Sequence, residues 1–70
     1  MIRKTVELEA SSAQGIEEAV ELAVARARVT LEGIQSVRVA EIGARVEDGR
    51  VASWDVVVKV TFQLRDGLHD

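Results

Sequence analysis

Cysteine is absent from this chain of 70 residues, so disulfides and thiolate metal sites are excluded. No run of about 18 apolar residues occurs, which leaves no candidate membrane-spanning helix. A basic stripe is missing as well. The net charge is -3 and the lysines and arginines are scattered, which argues against a nucleic-acid partner. The one histidine, His69, lies in a tail (Asp66 to Asp70) that reads as frayed, so no internal imidazole can serve as a base. Ser11 and Ser12 therefore read as helix caps and not as nucleophiles. The glycines show no phosphate-binding spacing. At the N-terminus, Glu7 and Glu9 break any signal-peptide core, and the expected compartment is the cytoplasm.

What is present is apolar residue, 47% of a very short chain. A domain of this size buries only about 60% of its unfolded surface. Small folds add disulfides, metals or partner copies to reach stability. With thiols excluded, self-association is the expected staple.

The periodicity is ordered along the chain. Residues 2 to 9 alternate, Val6 and Leu8 against Thr5, Glu7 and Glu9, as in a half-buried strand. Ser11 with Gln14 fits a capping box, with Ser12 as an alternative cap. A helix is expected from about Gln14 to Leu31. Ile16, Ala19, Val20, Ala23, Val24, Ala27 and Leu31 form its apolar stripe, and Gly33 follows as a stop. The second strand is expected over 34–47, and Gly43 within it reads as a bulge. Glu47-Asp48-Gly49-Arg50 reads as a type I′ hairpin turn. The third strand is expected over 51–65. Trp54, Val56, Val58, Val60 and Phe62 lie on its helix-facing side, with Val51 and Val57 on the other.

The pattern is β-α-β-β, an α+β subunit with one helix on a three-stranded sheet of mixed strand directions. A right-handed crossover makes strands one and two parallel, and strand three fits between them, antiparallel to both. Nothing in the chain covers the second sheet face, which is the physical ground for expecting assembly.

Lys4-Thr5-Val6-Glu7-Leu8, Ser11-Ser12, Ala25-Arg26-Ala27, Asp48-Gly49 and Val56 through Leu64 together resemble the dodecin family over about residues 3 to 64. The resemblance implies a homododecameric shell, helices outward and sheets inward. It implies a non-enzymatic role in binding or storing flavin (FMN or riboflavin), with coenzyme A or metal ions as other ligands. It places the flavin pocket at Ser36, Val37, Arg38 and Asp55. Ser36 stands where the family has its stacking Trp, Asp55 where it has a ring-binding Gln, and Arg38 where an acid is usual. Loss of both ring contacts predicts weak or altered flavin binding. Asp55 and Glu41 are candidate ligands for calcium or magnesium, hard cations that favour carboxylates. The competing role for Asp55 is a cross-strand pair with Arg38, Arg45 or Lys59. A purely structural shell is the alternative to a binding module.

Overall fold

A computed structural model describes residues 1–64. Its elements are β1 (Ile2–Ser12), α1 (Ile16–Thr30), β2 (Ile34–Glu47) and β3 (Arg50–Leu64). The sheet order is β1-β3-β2, and β3 is antiparallel to both neighbours. The expected architecture is therefore the observed one. The tail from Asp66 and His69 within it lie outside the described residues.

The core explains the alanines. Ala19, Ala23 and Ala27 are spaced one turn apart and buried. Their small side chains let α1 approach Val56, Val58 and Val60, each 1% exposed or less. Burying a valine fully stabilises by roughly 1.5–3 kcal/mol. Val6, Leu8, Ala10 and Ile16 pack around this cluster.

Several local expectations need correction. β1 continues to Ser12, because β3 is long enough to pair Ala10, Ser11 and Ser12 with Val56, Asp55 and Trp54. Strand pairing thereby removes Ser11 from the helix start, and no capping box forms. Ser12 Oγ instead accepts a hydrogen bond from the Gln14 amide at 2.9 Å, and Gly15 occupies the N-cap without a side-chain cap. Gly15 has φ 139°, which favours glycine there. At the far end Leu31 is the C-cap, and Gly33 (φ +73°) lets its carbonyl accept from the Gln63 amide at 3.0 Å. Asp48 and Gly49 both have positive φ, as the type I′ turn requires.

The bulges were misplaced by the sequence reading. Gly43 pairs regularly with Asp55, and the register shifts fall between Ile34 and Ser36, between Val39 and Glu41, and between Arg45 and Val46. Each shift changes which residues share a face. The second puts Glu41 opposite Val57, on the side away from the helix. The third leaves Ala52 unpaired and puts Val51 opposite Val46, on the helix side rather than with Val57.

Length decides what remains uncovered. The Cα trace measures 56 × 19 × 12 Å. A helix of 15 residues is about 22 Å long, so it covers less than half of that span. The β2–β3 hairpin projects beyond it. There Ile42, Val46 and Val51 are 56%, 61% and 49% exposed.

Candidate functional site

The side of the sheet turned away from α1 carries the chemistry. β1 contributes Thr5, Glu7, Glu9 and Ser11; β2 contributes Ser36, Arg38, Glu41 and Arg45; β3 contributes Ser53, Asp55, Val57, Lys59 and Thr61. All share one face because partners directly opposite in a ladder point the same way.

Near the hairpin this face is concave. A concavity of about 260 Å³ is lined by Glu9, Ser11, Glu41, Gly43, Arg45, Asp55 and Val57, among others. The bulge that turns Glu41 outward brings it into the same concavity as Asp55. Asp55 Oδ1 accepts a hydrogen bond of 2.6 Å from Ser11 Oγ. That is the cross-strand partner of Asp55, where the sequence suggested Arg38, Arg45 or Lys59. Gly43, opposite Asp55, has nothing within 4 Å of where a Cβ would sit, so the floor is open on the β2 side. Among the described residues no group of three His, Cys, Asp or Glu side chains is close enough to hold a metal ion. Glu41 and Asp55, the two carboxylates singled out from the sequence, line the same concavity.

The other candidate positions lie elsewhere. Ser36 pairs with Thr61 and Arg38 with Lys59. Thr61 and Asp55 are six positions apart on β3, about 20 Å along the strand. No single isoalloxazine ring reaches both Ser36 and Asp55 of one chain. Val37 pairs with Val60 and packs against the core cluster, so its side chain serves the core.

The residues present do not fit a stacked flavin. The chain has one Trp, one Phe and no Tyr. Trp54 pairs with Ala44 and Phe62 with Ile34, which places both on the helix side. Phe62 is 8% exposed and Trp54 is half-buried. The open face has no aromatic platform, and in a homo-oligomer every copy brings the same lack. An ionised Asp55 accepts hydrogen bonds only, and one of its oxygens is engaged by Ser11.

Sequence reasoning named Arg45 as a neighbour of Asp55, and Arg45 lines the same concavity; it missed Glu9 and Ser11. The alternation of β1 signals that Glu9 lies on the open face, but pairing it with this stretch of β3 requires the register.

Comparison with known proteins gives one answer. A family model described as Dodecin matches residues 2–65. The chain is 37% identical to a dodecin from Thermus thermophilus over 65 residues, covering 93% of this chain and 94% of that one. Among solved structures, the dodecin from Streptomyces coelicolor superimposes with a TM-score of 0.88 at 34% identity, covering 93% of both chains. A calcium dodecin from Mycobacterium tuberculosis, described as calcium-chelating with a novel calcium-binding site, has a TM-score of 0.79 at 27% identity, again covering 93% of both.

Proposed function

The chain belongs to the dodecin family, and from that premise we propose that it is a non-enzymatic subunit of a homo-oligomeric shell, a dodecamer, that binds small ligands on its inward sheet face. The observation that carries this reading is the uncovered surface of the single chain. The hairpin overhangs the helix with Ile42, Val46 and Val51 exposed, and one whole sheet face has no cover. Large exposed apolar surface on so small a chain is stable when further copies bury it.

The ligand reading follows from the open face. Flavin by stacking is disfavoured, because Ser36 and Asp55 replace the two ring contacts and both aromatics face the helix. The shell keeps a binding role through polar contacts instead. A cation reading has its own support: Glu9, Glu41 and Asp55 line one concavity, and symmetry copies can complete the coordination that one chain leaves partial. The related Mycobacterium tuberculosis protein is a calcium dodecin.

The test is size exclusion with light scattering and a full absorption spectrum across the peak. A mass near twelve subunits without flavin absorbance is the expected result. A monomer overturns the shell. A dodecamer with bound flavin overturns the reading of Ser36 and Asp55.

A further inference from the structure

The outer side of α1 is patterned about one residue. Ala25 is two positions from both Ala23 and Ala27, about 200° around the helix from each, so it points away from the sheet against which they are buried. Leu22 and Val29 lie about 60° and 40° to one side of Ala25. They are 48% and 71% exposed. Glu21 and Arg28 lie about 40° and 60° to its other side, and both are exposed. The apolar pair and the charged pair each straddle Ala25, three positions one way and four the other.

Within one helix Glu21 and Arg28 are about 10 Å apart along the axis, beyond the three- and four-residue spacings at which helix side chains meet. Across a two-fold axis beside Ala25 they do meet. In such an antiparallel pair like flank faces like flank. Glu21 then comes opposite Arg28 of the second copy, and Leu22 opposite Val29 of the second copy, and each contact forms twice. A parallel pair sets Glu21 against Glu21 and Arg28 against Arg28, so the charges select the antiparallel arrangement. The small side chain of Ala25 at the crossing lets the two backbones approach. Glu18 lies on the same line about 10 Å from Ala25, where a crossing of about 50° carries it off the second helix.

We propose that the outer face of α1 is a self-complementary contact between copies of this chain, joining assembled shells to one another through antiparallel helix pairs. The inference rests on the shell proposed above for the source of the second copy. The sheet face and the hairpin overhang are the surfaces that build the shell, and the Ala25 side of α1 faces away from the sheet and is left for copies outside it. A few side chains per helix are a small contact against the roughly 1,200 Å² of a stable interface, so one helix pair is weak. A shell carries one such helix per subunit, and several pairs acting together strengthen the association.

The test is sedimentation velocity on the full chain over a concentration series. Single shells are expected at low concentration, growing reversibly to paired and larger species as concentration rises. Leu22→Lys, at an exposed position, is expected to hold the shell at its own mass throughout. Glu21→Arg makes both charged contacts repulsive and is expected to weaken association about tenfold. Adding Arg28→Glu to it exchanges the charges and is expected to restore association. A parent that stays a single shell at every concentration, or a charge-exchange variant no better than E21R, overturns the proposal. So does an L22K chain that no longer builds the shell, because Leu22 then belongs to the shell's own interfaces. A parent that forms only a dimer of chains, dissociated by L22K, removes the shell and keeps the helix contact; a monomer at every concentration removes both.

Discussion

Asp55 shows how one residue sets the chemistry of the open sheet face. An amide donates and accepts, whereas a carboxylate accepts only and here accepts a hydrogen bond from the Ser11 hydroxyl. The double variant Ser36→Trp with Asp55→Gln is therefore expected to gain flavin affinity. Aromatic stacking contributes roughly 0.5–1.5 kcal/mol beyond area, so riboflavin fluorescence quenching should appear about two- to tenfold lower in ligand than for the parent. Equal quenching in both proteins removes the argument. Ser53 offers a second test. Its Oγ is buried with no hydrogen-bond partner among the described residues. An unpartnered buried hydroxyl costs free energy, so Ser53→Ala is expected to be neutral or to stabilise by up to about 1 kcal/mol in urea denaturation. A clear loss of stability means that Ser53 gains a partner in the assembly.

At the level of elements, α1 is matched to the sheet through its alanines, and β2 is shaped by its bulges. Ala23 is 4% exposed against the valines of β3. Ala23→Leu forces three more heavy atoms into a closed contact, where overpacking costs roughly 1–3 kcal/mol. A correspondingly lower Tm is expected, and an unchanged Tm means that the helix can lift off the sheet without penalty. The bulges have a functional consequence. Without the one between Val39 and Glu41, simple alternation puts Glu41 opposite Val56, on the helix side. With it, Glu41 joins Glu9 and Asp55 at the concavity.

For the whole molecule, the mismatch between a long hairpin and a short helix is the dominant fact. Val46 is 61% exposed in the single chain. An aspartate there leaves the lone fold intact but places a charge in any apolar interface built on the hairpin, where an unpaired buried charge is costly. Val46→Asp is expected to keep its circular dichroism while light scattering moves to smaller species. A variant that keeps the full assembled mass shows that the hairpin is not an interface.

The sequence by itself determined the element order, the helix stripe, the Asp48-Gly49 turn and the central place of β3, because periodicity and turn chemistry are local properties. The family resemblance, and not the local pattern, is what set Ser36 and Asp55 against a Trp and a Gln. Tertiary structure alone decided the fate of Ser11, since a capping residue and a strand residue look the same until the length of the opposing strand is known. It also decided which side Glu41 and Val51 occupy. A bulge shifts every later side chain by one face, and three of them in β2 and β3 carry no glycine or other mark in the sequence. The concavity arises from register between strands far apart in the chain, which no local pattern encodes.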